Sequence, residues 1–226
     1  MKITSLSIFI LVLKFSFSQI GANRFSNEIE FGISTISTTL TDGFYSKAGS
    51  PSLNYSNRFM MNDRFGIKGE FNFNQFNFGN RNFNLADTNL IDQTNYFRTT
   101  LVGVTNLGNV LNFKSKTKRI GLLMHTGGGF SILHSKNTLH NVEWKNDYSD
   151  IMINLVLGFT PQIKINSRMA ANINILMISH LFQTFTFDMN SSAKRQGFDG
   201  VILNFGAGIS YYFGPHLEHF DWSKKL

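Results

Sequence analysis

The sequence contains no cysteine, which excludes disulfides, thiolate nucleophiles, cysteine-ligated metals and a cysteine-borne lipid anchor. It is also poor in charge, at 15% Asp, Glu, Lys and Arg, against roughly 25% in an ordinary soluble domain. Nowhere past the first residues does it hold the run of about 20 apolar residues that a helix needs to cross a hydrocarbon core of about 30 Å. What it has in excess is aromatic rings: 24 Phe among 226 residues, with a mean hydropathy of only −0.08. Many rings, few charges and a neutral average require apolar and polar residues to alternate. That is the composition of membrane strands and not of membrane helices.

The first residues, Met1-Lys2-Ile3, lead into the apolar run Leu6 to Leu13 and then Ser16-Phe17-Ser18-Gln19. Small residues stand at −3 and −1 of a cut before Gln19, so residues 1–18 read as a secretory signal peptide. Its removal takes Lys2 and Lys14 and leaves 19 basic residues against 14 acidic, reducing the formal charge from +7 to +5. For an exported chain this basic balance points to anionic lipid headgroups or envelope polymers, not to nucleic acid.

The strongest alternation is Val201 to Phe213. Its odd positions are large and apolar, and its even positions include Asn204, Gly206, Gly208 and Ser210. Phe65 to Phe73 and Ile151 to Ile165 repeat the pattern, with Pro161 weakening the inner end of the latter. Further strands are expected at Glu28 to Thr35, Ser52 to Met60, Tyr96 to Leu107, Ile120 to Leu133 and Ala170 to Gln183. Eight strands of about ten residues predict an all-β chain: a single eight-stranded antiparallel transmembrane β-barrel over residues 19–214. Short links (Met61 to Arg64, Asn166 to Arg168) alternate with long polar ones (Asn77 to Asn95, His134 to Asp150, Thr184 to Phe198), as turns at one end and loops at the other require. The link Gly108 to Arg119 is longer than its parity predicts, and its Lys114, Lys116, Lys118 and Arg119 read as a solvated turn. A soluble secreted barrel or sandwich would alternate too, with its faces reversed. The second face here is dominated by Gly, Ser, Asn, Thr and charges, which suits a narrow polar lumen.

Asn204-Phe205-Gly206-Ala207-Gly208-Ile209-Ser210-Tyr211-Tyr212-Phe213-Gly214 resembles the closing strand of OmpA-like small outer-membrane barrels. In that family an aromatic-ended strand is the signal read by the barrel-assembly machinery, and the resemblance assigns that role to Tyr211 and Phe213. It implies an outer-membrane location with both termini periplasmic, in contact with outer-membrane lipid and lipopolysaccharide. The tail 215–226 resembles the exit into the linker of two-domain members. A peptidoglycan-binding domain has no counterpart among these residues, so wall tethering is not implied.

On this alternation Glu30, Arg58, Lys68, Glu70, Arg98, His125, Lys164 and His180 point into the lumen. Charges in a narrow barrel must pair. One reading is a network plugging the interior; the other is the lining of a narrow, mildly anion-preferring pore. A lipid hydrolase would need Ser, His and a carboxylate within reach of one another. The adjacent pairs His134-Ser135 and Ser179-His180 fall on opposite strand faces, which disfavours it. His216 and His219 have a zinc-compatible spacing but no evident third ligand, and Gly127-Gly128-Gly129 lacks the Lys and Ser/Thr of a phosphate loop. No cofactor is expected. Leu217, Phe220 and Trp222 make the tail more apolar than a linker requires and mark it for docking on the barrel rim or on an outer-membrane or periplasmic protein. The functions these readings leave are a structural or interaction subunit of an envelope assembly, a narrow porin-like channel for small solutes, and, least favoured, an outer-membrane lipid-modifying enzyme.

Overall fold

A computed structural model describes residues 22–37, 44–82, 89–112, 119–139, 142–184, 187 and 200–223. Residues 1–18, expected as a signal peptide, the lysines at 114, 116 and 118 and almost all of the link 184–198 lie outside them. Eight strands follow one another: β1 Phe25–Ser37, β2 Phe44–Met60, β3 Phe65–Asn82, β4 Asn89–Asn106, β5 Ile120–Leu139, β6 Val142–Lys164, β7 Met169–Leu181 and β8 Val201–Phe213. Each pairs antiparallel with its neighbour, and β1 pairs with β8 from Phe25↔Phe213 to Ser37↔Val201, closing the barrel. Closure satisfies the backbone groups of every strand without water, the condition for spanning a bilayer with sheet.

The direction of the two faces separates the membrane barrel from its soluble rival. Where side chains are described, even-numbered residues of β1 to β4 and β6 to β8, and odd-numbered residues of β5, face inward. The outward face carries Ile29, Phe31, Phe71, Phe97, Leu101, Phe130, Ile151, Ile173 and Phe205, all exposed, with Phe31 at 68%. The inward face carries Glu28, Asn54, Arg58, Lys68, Glu70, Asn72, Arg98 and Asn174, all buried. Rings border the apolar belt at both edges: Phe25 with Phe59 (4.8 Å) and Tyr211 with Phe213 (4.8 Å) near the chain termini, Phe73 with Phe97 (5.0 Å) towards the other end. An apolar outside, a charged inside and two aromatic girdles fit hydrocarbon and not water.

The tight turns are built alike. Asn62 Oδ1 accepts the N–H groups of Arg64 and Phe65 (both 2.8 Å), and Asn166 Oδ1 accepts that of Arg168 (2.8 Å), so an asparagine side chain folds each turn. The third link at this end holds a single-turn helix, α1 Leu107–Val110, with Asn106 Oδ1 accepting the Asn109 N–H at its start. The residues expected as loops at the other end are largely strand. β3 and β4 run on to Asn82 and from Asn89, and β5 and β6 to Leu139 and from Val142, so the described residues of Asn77–Asn95 and His134–Asp150 are strand. Pairing there is polar, as in the Gln75 Nε2 to Asn95 Oδ1 bond of 3.2 Å. Pro161 stays within β6 opposite Leu122, and the β6–β7 ladder skips from Phe159↔Ile175 to Gln162↔Asn172 beside it, as a residue without an N–H requires.

Candidate functional site

The lumen is filled in three layers. Nearest the termini end lies a chain of alternating charges. Asp221 Oδ1 meets Arg58 Nη1 at 2.7 Å, Arg58 Nη2 meets Glu28 Oε1 at 2.8 Å, and Glu28 Oε2 lies 3.6 Å from Lys68 Nζ. Lys68 continues to Glu70 Oε1 at 2.8 Å, and Glu70 Oε2 accepts Arg98 Nη1 at 2.9 Å. His125 Nδ1 is 3.4 Å from Glu70. The register explains the chain: Arg58 stands opposite both Ser26 and Lys68, so it reaches diagonally to Glu28, and Arg98, opposite Asn72, reaches diagonally to Glu70, while Lys68 meets Glu70 two residues along its own strand.

Of the residues expected in this network, Arg58, Lys68, Glu70, Arg98 and His125 are brought together. Glu30 is not ion-paired with any described residue. It is held by amides, its Oε2 accepting from Asn54 Nδ2 (2.9 Å) and Asn174 Nδ2 (2.7 Å). Lys164 sits at the mouth, paired with Glu218 at 3.2 Å and lying 5.9 Å from the Trp222 ring centroid. His180 belongs to a neutral relay in the next layer. Its Nδ1 contacts the Gly200 carbonyl (2.9 Å) and its Nε2 the Tyr96 hydroxyl (2.8 Å), which also meets Ser131 Oγ (2.8 Å). Asn154 then links Ser131 (2.9 Å) to Thr100 (3.2 Å), and Thr100 accepts from Arg98 (3.0 Å). A buried apolar cap of Phe76, Leu133, Met152, Ile178, Phe187 and Ile202 closes the far end around Tyr96 and His180.

The tail 215–223 folds back across the mouth. Gly214, at φ 137°, turns the chain out of β8 in a conformation that disfavours any side chain, and a Cβ there would overlap Asn23. Asn23 then stitches the tail to the start of the barrel. Its side chain bonds the His216 carbonyl (2.7 Å) and N–H (2.9 Å), and its backbone bonds Glu218 O (2.7 Å) and Phe220 N–H (3.0 Å). Trp222 Nε1 donates to the Tyr212 hydroxyl (2.9 Å), and His219 stacks on Tyr212 at 4.3 Å. Phe220 and Trp222, expected to dock on the barrel rim or on a partner, are buried in the barrel's own mouth, where the Trp222 indole N–H finds the Tyr212 hydroxyl. Leu217, at 79% exposure, is the one of the three left outside. Burial raises the Asp221 carboxyl pKa, but the Arg58 guanidinium outweighs it and holds that carboxyl well below the usual carboxylate range. His219 Nδ1 accepts the Asp221 N–H (3.1 Å) and lies 3.4 Å from Asp221 Oδ2, beside the shorter contact of that carboxylate with Arg58.

Glu28, Asp221 and Tyr96 were not singled out from sequence. Glu28 shares a strand face with Glu30 and was legible by parity; Asp221 carries no local signal. Among the described residues no group of three or more His, Cys, Asp or Glu is placed to hold a metal ion. The glycines 127–129 lie within β5, where a Cβ on Gly127 or Gly129 would overlap the carbonyls of Leu101 and Thr99 on β4. They serve close strand approach. His134 and Ser149 stand opposite each other on the outer face, but no hydrogen bond joins them.

No family model matches the sequence, and neither does any curated protein. Solved structures do match. A major outer membrane protein of Thermus thermophilus superposes with a TM-score of 0.54 at 12% identity, over 85% of this chain and 100% of that one. Ail, the attachment invasion locus protein of Yersinia pestis, in complex with the heparin analogue sucrose octasulfate, gives 0.52 at 13% identity, over 85% and 99%. At such identities the likeness is one of fold. It is the fold of the small outer-membrane barrels, the one that the closing strand's resemblance implied.

Proposed function

We propose that this protein is a non-enzymatic outer-membrane barrel, a structural or interaction subunit of the envelope, whose interior is filling and whose contacts are made by its two ends and its lipid-facing wall. The observation that carries this is the ion-paired chain from Asp221 through Arg58, Glu28, Lys68 and Glu70 to Arg98, sealed at one mouth by the protein's own tail and at the other by the Phe76, Phe187 and Leu133 cap. A conducting lumen needs charges that face water and exchange partners with ions, whereas these are committed to one another. Tyr211 and Phe213, on the outer face at the end of β8, stand where the barrel-assembly machinery would read a terminal strand, and the termini end would face the periplasm. Leu217 is the tail residue open to a protein partner there. The serine and histidine placements support a non-enzymatic reading, since Ser131 and His180 are separated by Tyr96 inside the lumen and no described carboxylate joins them.

Ion-conductance recording of the purified chain in planar bilayers tests this. The expected trace is flat across applied voltage, and reproducible ion-selective steps would overturn the filled-lumen reading in favour of the porin-like one. Affinity capture from detergent-solubilised outer membranes with Leu217 intact and with Leu217→Ser then asks whether a stoichiometric partner depends on the open tail residue.

A further inference from the structure

Basic side chains collect around the mouth at the termini end without matching acids. Every second strand is preceded by an arginine: Arg24 before Phe25 of β1, Arg64 before Phe65 of β3, Arg119 before Ile120 of β5 and Arg168 before Met169 of β7. Each backbone carbonyl accepts the last ladder bond from the neighbouring strand: Arg24 from Met60 N–H (2.9 Å), Arg64 from Asn106 (2.7 Å), Arg119 from Lys164 (2.8 Å) and Arg168 from Tyr212 (2.8 Å). Residues directly opposite each other in an antiparallel pair share a face of the sheet. Met60, Asn106 and Tyr212 are buried on the lumen side, and Lys164 lies beside Trp222 in the mouth. The arginines therefore continue the lumen-side face and ring the mouth, not the lipid-facing wall.

No acid at this end answers them. Arg64, Arg119 and Arg168 are exposed and Arg24 is half-buried, 5.6 Å from the ring centroid of Phe220 in the tail. None of the four forms an ion pair with a described residue. Glu218 is taken by Lys164 and Asp221 by Arg58, which leaves the half-buried Asp63. The adjoining residues outside the described ones, 113–118 and 224–226, contain Lys114, Lys116, Lys118, Lys224 and Lys225 and no Asp or Glu, so they supply no counter-charge. The tail already lies across this mouth, tied to Asn23 and Tyr212. The arginines thus face the aqueous compartment over a covered opening. Bilayer headgroups stand outside the wall, whereas a soluble acidic chain reaches the mouth directly. A guanidinium meets a carboxylate through two parallel hydrogen bonds, and several of them around one opening make a surface complementary to clustered Asp and Glu.

We propose that Arg64, Arg119 and Arg168, with Arg24 seated beside them, form a cationic collar around this mouth that docks an acidic segment of a partner protein. The proposal rests on the reading of the barrel as an interaction subunit and gives the partner its chemistry.

The test uses the full mature chain in phosphatidylcholine nanodiscs, with a fluorescein-labelled oligoglutamate peptide as probe and anisotropy titration as readout. The wild type should bind the probe at low salt and lose affinity as salt is raised. The triple variant R64Q/R119Q/R168Q should bind about tenfold more weakly, as the loss of three exposed charge contacts implies, while R64K/R119K/R168K should keep most of the affinity. Should the glutamine triple not fold, the three single variants carry the same test, each weakening binding about twofold. Equal binding by the glutamine variants, or none by the wild type, overturns the collar. The gap between wild type and glutamine triple should persist in discs containing phosphatidylglycerol; its disappearance there would assign the arginines to headgroups and overturn the collar as well. Capture of a membrane partner that depends on Leu217 but not on the arginines would sink the collar and leave the interaction reading standing.

Discussion

Replacing Asp221 by Asn removes the negative end of the lumen chain while changing almost nothing in shape. Arg58 then keeps Glu28, at 2.8 Å, but loses the 2.7 Å contact that draws the tail inward. Breaking a buried pair outright costs about 3–5 kcal/mol, and losing one charged hydrogen bond about 1.5–3. Because Arg58 retains a carboxylate, the lower range applies. A loss of about 2 kcal/mol weakens tail docking roughly thirtyfold. The assay is Trp222 fluorescence in a Trp144→Phe background, where Trp222 is the one tryptophan left. In the parent it should be blue-shifted and resist acrylamide; in the variant it should be red-shifted and quenched. The pH dependence adds a signature with a definite sign. The docked Asp221 carboxyl lies below its free value of 3.8, so docking is favoured above that pH and weakens as pH falls through and below it, by at most about 1.4 kcal/mol per unit. Asp221→Asn should lose this component, and whatever acid response it retains belongs to other carboxylates. Equal protection of Trp222 in both proteins at neutral pH, with superimposable acid transitions, would refute the assignment of Asp221 as the anchor.

Two further substitutions probe the layers on either side of the barrel wall. Lys68→Met leaves Glu28 and Glu70 facing each other with one cation fewer between them, and should destabilise the folded barrel by about 3–5 kcal/mol, read as a lowered urea midpoint in vesicles. Phe31→Arg, on the outer face at a position 68% exposed, should cost about 2–4 kcal/mol in a bilayer; a change within about 0.5 kcal/mol, as at an ordinary wet surface, would count against lipid contact there.

How much of this was legible in the sequence differed between the parts of the molecule, for physical reasons. β8 was read to its ends, Val201 and Phe213, because from Leu203 onward its odd positions turn outward and its even ones to the lumen, although Val201 and Ile202 at its start are both buried. β3 to β6 were cut short at the loop end, because the letters there are polar at successive positions and carry no period of two. The Gly108–Arg119 link concealed α1, whose signal is a single asparagine, Asn106, at the helix start.

The lumen shows where reading by face reaches its limit. Parity alone places Glu28 beside Glu30 on the inner side of β1, yet it cannot assign partners. Glu28 joins the ion-paired chain, while Glu30, one step along, is held by Asn54 and Asn174. The difference follows from what the adjoining strands present at each level, which is a matter of register: Arg58 and Lys68 reach Glu28 diagonally, whereas Asn54 stands directly opposite Glu30. Asp221 is further out of reach, since 163 positions separate it from Arg58 and the contact exists only because Gly214 reverses the chain and Asn23 holds the returning segment. Alternation therefore identifies an inner and an outer wall. Whether the inner wall conducts or seals depends on whether its cations find carboxylates within about 3 Å, the reach of a charge-assisted hydrogen bond. In this barrel the last of those carboxylates arrives from outside the strands altogether, so on the filled-lumen reading proposed above the seal would be a property of the tail as much as of the wall.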